Sequence, residues 1–424
     1  MENFIYSSGD SKMIDFQDLD HIDGLSISTI SANLYNKSRD DLVMFYFRDG
    51  ANHASVYTQS KIVSENIKWN LNLKSKKIKI LLVNTRNANA FTGAKGFQSL
   101  KEIADELSSG LTKKQIEDED KPEKVSSGEI MFGCTGTIGE EFPKEKIKRC
   151  LPQLINKIRY TQNKLIWMKA ALSMMTTDTQ PKMAMEICSI GNSEIKIFGV
   201  AKGSGMIQPN MATMLVYIFI ECEVSKQLML RLLKNNLDNT FNSITVDSDT
   251  STSDTLMMFS VSNKKINLNK KNFKIINNKI YELMHDLSLQ VIKDGEGVSK
   301  LIRVNVLNAR SKNQAKKIAF SIANSPLVKT AVAGEDANWG RVIMAIGKTE
   351  ENINQNKIKV LFGNNVVCEN GSISKKINIR KLNNYIKNKT IEINVKLNLG
   401  KYFFTVHGND LTFEYLKINA DYRS

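Results

Sequence analysis

Ala201-Lys-Gly-Ser-Gly-Met-Ile-Gln-Pro-Asn-Met-Ala-Thr-Met-Leu215 sets one threonine, Thr213, between a turn broken by glycine and proline and a run of strand-forming residues. Ahead of it, Gly203, Gly205 and Pro209 exclude regular helix and permit the tight backbone that strain at a peptide bond requires. Behind it, Met214-Leu-Val-Tyr-Ile-Phe-Ile220 reads as an interior strand, too short to span a bilayer. A threonine hydroxyl at a strand start can attack the carbonyl before it, here that of Ala212, and the resulting ester can hydrolyse to free a new amino terminus. Such a residue carries its own base, because the α-amine of Thr213 can take the hydroxyl proton without any histidine. Taken singly, the same residues also fit a threonine that merely begins a buried strand.

Outward from this turn, Ile195-Lys-Ile-Phe-Gly-Val200 is a strand that feeds into it, and Lys77-Ile-Lys-Ile-Leu-Leu-Val83 alternates before turning wholly apolar, as a strand entering a core does. The spacing of apolar residues predicts a helix over 97–111, with Leu100, Ile103, Ala104 and Leu107 on one face. A second is expected over 144–158 with a kink or break near Pro152, and a third over 163–175 with Leu165, Met168, Ala171 and Leu172 facing in. Asp118-Glu-Asp-Lys-Pro-Glu-Lys124 reads as a charged loop. Beyond Thr213 the pattern gives a helix over 224–237, a strand over 256–261 and a helix over 273–292. From Ile302 it becomes strand (302–306), helix (314–323) and strand (328–332), the look of a smaller α/β subdomain. Strands and helices without a regular βαβ repeat argue against a doubly wound sheet.

Composition narrows the function classes. At 424 residues the chain is long enough for more than one core. Its 59 basic against 44 acidic residues give +15, which would suit a nucleic-acid partner, but lysine and asparagine are scattered through every segment rather than gathered with aromatics on one motif. Five cysteines stand far apart with no C-x-x-C pair, as free thiols of a cytosolic protein do. The four histidines show no metal-ligand spacing, so no metal is expected. Asp247, Asp249 and Asp254 in a hydroxyl-rich run suit strand-end hydrogen bonding better than a metal loop. The first residues lack the positive and apolar regions of a secretion signal, and no segment reaches membrane-spanning length, so a cytoplasmic protein without membrane partners is expected.

Lys202-Gly-Ser-Gly-Met-Ile followed by Pro209-Asn-Met-Ala-Thr-Met-Leu215 resembles the signature of the ornithine acetyltransferases, also called glutamate N-acetyltransferases or the ArgJ family. Further blocks resemble that family in order: Gly133-Cys-Thr-Gly-Thr-Ile-Gly139, Met175-Thr-Thr-Asp-Thr-Gln-Pro-Lys182, 243–255, Asp294-Gly-Glu-Gly297, 334–341 and Ile418-Asn-Ala-Asp-Tyr-Arg-Ser424. Departures exist: Thr85-Arg86 replaces an expected Ser-Gly, Phe91 an expected cysteine and Ala337 an expected proline, and Gln59-Ser60 blur an early element.

The resemblance implies an α/β fold of the α+β kind, a layered sandwich of two sheets flanked by helices with a smaller C-terminal α/β subdomain from about residue 300. It implies self-cleavage between Ala212 and Thr213 into an α chain (1–212) and a β chain (213–424), joined as a heterotetramer of two of each. The implied reaction moves acetyl from N-acetylornithine to glutamate through an acetyl-threonine at Thr213, with Thr135 and Gly136 as the oxyanion hole. Substrate contacts carried over by resemblance are Thr176, Lys202, Thr213, Glu296, Asn419 and Ser424; Lys202 and Glu296 suit a substrate bearing charges of both signs. No cofactor is expected, and acetyl-CoA is a possible co-substrate. The alternatives are an aminopeptidase or amidohydrolase of the same architecture and, less well supported by the scattered charge, a basic RNA-binding protein.

Overall fold

The computed structural model describes residues 21–113, 125–208 and 214–421. The expected charged loop at 118–124 therefore lies outside the described residues. Strands β1 (Leu25–Ile30), β2 (Leu42–Tyr57), β3 (Lys77–Asn84) and β4 (Ile130–Cys134) alternate along the chain with helices α1 (Glu65–Asn72) and α2 (Gly93–Lys113). After α3 (Lys144–Asn156) and α4 (Lys164–Met174) come β5 (Lys182–Ile190), β6 (Ser193–Lys202), β7 (Leu215–Ile220), α5 (Lys226–Leu237), β8 (Thr255–Ser260) and α6 (Lys270–Lys293). Hydrogen bonding links the strands as β4-β3-β2-β8-β7-β6-β5, with β1 also on β2.

That single path folds into two layers, and β2 belongs to both. Its first half pairs with β1 and β3, its register slips between Tyr46 and Ala51, and Asn52–Tyr57 then pair with β8. Phe45 has β1 and β3 as its sheet neighbours, yet its ring centroid lies 4.9 Å from that of Phe219 in β7. Adjacent strands sit about 4.8 Å apart, so a flat sheet would hold β2 and β7 at about twice that spacing; this contact and that of Phe47 with Phe259 (5.0 Å) run between facing layers.

The alternation of side chains follows. Leu215, Tyr217 and Phe219 point into the interlayer core, while Val216, Ile218 and Ile220 pack under α5 and α6. On the other layer, Leu81 and Val83 face inward and Ile80 and Leu82 pack with α2 and α3 residues such as Ile103 and Leu151. Strands buried on both faces read as unbroken apolar runs, which is why these were visible in the sequence. Helix α4 enters from the side and stacks Trp167 on Phe198 at 5.1 Å. The expected sandwich of two sheet layers flanked by helices is what the chain forms.

A second sheet is built from β9 (Leu301–Ala309), β10 (Lys359–Phe362), β11 (Asn365–Glu369), β12 (Ser372–Ile373), β13 (Thr390–Lys396) and β14 (Tyr402–Asn409), in the order β12-β11-β10-β13-β9-β14. With α7 (Lys312–Ala323), α8 (Pro326–Ala333), α9 (Trp339–Gly347) and α10 (Ile379–Tyr385) it encloses its own core, and α11 (Phe413–Ala420) follows it. Two expectations need correction. Residues 328–332 are helix α8, because Ser325 caps the Val328 N–H, Pro326 sits at the first turn and Val328 and Val332 share one buried face. Leu165 is 64% exposed, since α4 instead buries Trp167, Ala170, Ala171 and Met174. Helix α3 runs on through Pro152 to Asn156. Among the described residues no helix is long and apolar enough to cross a membrane.

Candidate active site

Where β4, β6 and β7 come together, a cavity of about 150 Å³ opens, lined among others by Thr135, Gly136, Thr176, Lys202, Glu296 and Asn419. These six side chains or backbones come from distant stretches of sequence, and the fold brings all of them to one hollow. Ala212, Thr213 and Ser424 lie outside the described residues. Met214, the residue after Thr213, lines the same cavity, and its carbonyl accepts from Thr255 N–H at 2.9 Å.

Thr135 and Gly136 follow directly on β4. Thr135 N–H donates to Asn84 and Thr137 N–H to Arg86, so the turn is clamped to the end of β3. Gly136 has φ +132°, and a Cβ there would stand 2.1 Å from the carbonyl carbon of Arg86. Arg86 itself holds φ +72°, the left-handed backbone that favours glycine, at the position where glycine is expected from the resemblance. Phe91, in place of the expected cysteine, also has positive φ and is 75% exposed.

Lys202 ends β6 and is buried. Its ammonium donates to Thr135 Oγ1 at 3.2 Å and to Thr176 Oγ1 at 3.0 Å, joining the two threonine segments. Burial pushes its pKa down from the ordinary lysine value, with the Asp178 carboxylate opposing that and Lys182 adding to it. Across the cavity, Glu296 accepts from Asn419 Nδ2 at 2.8 Å. Its carboxyl lies against Gly205, where a Cβ would come within 2.3 Å, so the glycine makes room for it. One pocket thus offers an ammonium and a carboxylate, both largely withdrawn from solvent.

Asp247 behaves as expected at a strand end, accepting from Met206 N–H at 2.5 Å and Ile207 N–H at 2.8 Å. Asp254 does not. It is 1% exposed and lines the cavity, and neither carboxyl oxygen finds a hydrogen-bond partner among the described residues. Burial raises its pKa well above the usual carboxylate range, and the Lys202 ammonium opposes the rise.

The sequence reading gave no role to Asp178, Lys182 or Asp294. Asp178 accepts from Thr176 N–H and Gly203 N–H, and Lys182 bridges it to Asp294. Burial works to raise the Asp178 pKa, but the ammonium groups of Lys182 and Lys202 hold its carboxyl well below the usual range. A signal was present, since all three sit in the two blocks quoted around Met175 and Asp294, but only contact in three dimensions pairs charges so far apart.

A sequence profile described as the ArgJ family matches residues 26–424. The chain belongs to the ArgJ family. The arginine biosynthesis bifunctional protein ArgJ of Bartonella henselae is 40% identical over 413 residues, covering 96% of this chain and 97% of that protein. The protein of the same name from Mesorhizobium japonicum is 38% identical over 411 residues, covering 95% and 96%. Among solved structures, an arginine biosynthesis bifunctional protein from Bacillus halodurans aligns at 32% identity and TM-score 0.43, over 47% of this chain and 95% of that one. The family match reaches every described residue of the pocket, from Ala88 to Asn419.

Proposed function

We propose that this ArgJ-family chain transfers acetyl from N2-acetyl-L-ornithine to L-glutamate, using Thr213 as nucleophile after cutting itself between Ala212 and Thr213. The observation that carries the reading is the Lys202 ammonium shared by Thr135 and Thr176 in a cavity bordered by Met214 and faced by Glu296. Relatives at 40% identity carry the name of an arginine biosynthesis enzyme, which supports the same substrate class.

In this reaction the Thr213 hydroxyl attacks the acetyl carbonyl and passes its proton to the α-amine of the same residue. Charge collects on the carbonyl oxygen, where the Thr135 hydroxyl and Gly136 N–H are the proposed donors. Collapse breaks the bond from the acetyl carbon to the ornithine nitrogen, and the proton held by the α-amine goes to that nitrogen. Glutamate then attacks the acetyl-threonine by the reverse sequence, giving N-acetylglutamate and restoring the hydroxyl. Lys202 and Glu296 meet the opposite charges of an amino-acid substrate and so set its orientation. Acetyl-CoA is proposed as a second acetyl source for the same threonine, with no resident cofactor; two α and two β chains are the proposed assembly, in the cytoplasm.

The test is to quench the enzyme with N-acetylornithine alone and map the acetyl group. Acetyl on Thr213 before glutamate is added is the expected result. Acetyl that appears only when glutamate is present, or on another residue, overturns the covalent route. Release of free acetate instead of transfer to glutamate would identify the chain as an amidohydrolase.

A further inference from the structure

One hydrogen bond away from the cavity lining, three charged side chains that take no part in the steps above form a closed cluster. The Lys182 side chain is 1% exposed, and its ammonium donates to Asp178 Oδ1 at 2.7 Å, Asp294 Oδ2 at 2.5 Å and the Gln180 carbonyl at 3.2 Å. Both carboxylates also hold backbone, and that held by Asp178 adjoins the site. Asp178 accepts from Gly203 N–H at 2.6 Å and Thr176 N–H at 3.0 Å. Asp294 accepts from Thr179 N–H at 3.0 Å, from the Thr179 hydroxyl and from Gln180 N–H at 3.3 Å. On its other side, the Asp294 carbonyl accepts from Ser204 Oγ at 2.5 Å, and the Ser204 carbonyl accepts from Glu296 N–H at 3.1 Å.

Stability alone does not call for such a cluster, because apolar residues of similar volume often replace buried ion pairs without loss. Apolar residues cannot grip backbone N–H groups, nor supply charge. Two carboxylates and one ammonium leave the cluster with one negative charge, beside a lysine whose charged form burial disfavours.

We propose that Asp178, Lys182 and Asp294 are positioning residues for the acetyl-donor pocket: as one anionic cluster they fix the Thr176, Gly203 and Glu296 backbones relative to each other and so place Lys202 and Glu296 in the pocket. The charged groups facing Lys202 are Asp178, Lys182, Glu296 and Asp254, and the first of these is its strongest attractive neighbour. The cluster therefore acts on Lys202 with signs that differ from one member to the next. Removing the Asp178 carboxylate weakens the hold on the Lys202 proton; removing the Lys182 ammonium strengthens it.

Identifying the ligand as an acetyl donor rests on the function proposed above, whereas the charge on Lys202 can be read without turnover. The experiment is pulse labelling of the full chain with acetic anhydride across a pH series, with the extent of Lys202 modification read by peptide mass spectrometry. Asp178→Asn should move the Lys202 labelling midpoint to lower pH, and Lys182→Met should move it to higher pH. Asp178→Ser and Lys182→Gln give the same pair of opposite shifts if either first variant does not fold. Midpoints that stay put, or that all move one way as loosened packing would make them, overturn the proposal. In parallel, Asp178→Asn should lower kcat/KM for N-acetylornithine on the order of a hundredfold, mainly through KM, the scale expected when a substrate-holding group is misplaced by about 1 Å. A wild-type chain that folds and labels but moves no acetyl sinks the proposed function and leaves the opposite shifts to decide the cluster's role.

Discussion

Gly136 combines a φ of +132° with backbone so close that an added Cβ would stand 2.1 Å from the Arg86 carbonyl carbon. Gly136→Ala must therefore push the Thr135–Gly136 turn away from β3, and turnover should fall on the order of a hundredfold, as when one oxyanion donor is lost. Steady-state kinetics with N-acetylornithine and glutamate measure it, and an unchanged kcat would remove this N–H from the mechanism. For the proposed nucleophile, Thr213→Ala should abolish both cleavage and transfer, whereas Thr213→Ser should keep part of each because the hydroxyl remains. A denaturing gel and an acetyl-transfer assay read the two effects separately.

His53, on β2, shows the same local chemistry acting on stability. It is 8% exposed, and burial, helped by Lys226, lowers its pKa to about 4. The unfolded chain titrates this group near 6.5 and so binds more protons between the two values. The contribution of neutral His53 is complete above about pH 6.5 and is lost progressively as pH falls toward 4, an effect on the order of 1–3 kcal/mol. Urea midpoints across that range should slope less for His53→Leu than for the wild-type chain.

Secondary structure was legible wherever burial left one consistent pattern. Strands β3, β6 and β7 have both faces covered, and helices α2, α5 and α6 show clear apolar stripes, so each appears within a few residues of its expected span. Residues 328–332 suggest a strand because β-branched residues favour strands in general, while the Ser325 cap and Pro326 make the segment helix. In α4 the inward face was assigned by apolar character alone; Trp167, stacked on Phe198, takes the buried place that Leu165 was expected to share. Trp167→Ala should cost about 3–5 kcal/mol, while Leu165→Ala should stay within roughly 0.5 kcal/mol, as exposed positions do. Chemical denaturation of the two variants side by side gives the comparison. For the pocket, Thr135, Gly136, Thr176, Lys202, Glu296 and Asn419 could be named from motifs and do converge. Asp178 and Asp294 could not be paired in advance, because 116 positions apart in sequence they meet only through Lys182.

On the scale of the whole molecule, the order β3-β2-β8-β7-β6 has a consequence for the proposed scission. Strands β7 and β8 would belong to the carboxyl-terminal product, yet they are hydrogen-bonded between β2 and β6, which would belong to the amino-terminal one. A cut at residue 212 would divide the chain but not the sheet. The two products should run apart on a denaturing gel and elute together from a native column; separation without denaturant would contradict the strand order.

Interleaving also makes history part of the structure. A chain that folds whole closes its central strands by intramolecular encounter, where effective concentration is high. Two halves synthesised as separate polypeptides would instead each begin with raw strand edges where the shared sheet is left open, exposed to any other strand in solution. Their recovery should then depend on concentration and compete with aggregation, so in the proposed scission the peptide bond before Thr213 would break only after it has served as a tether.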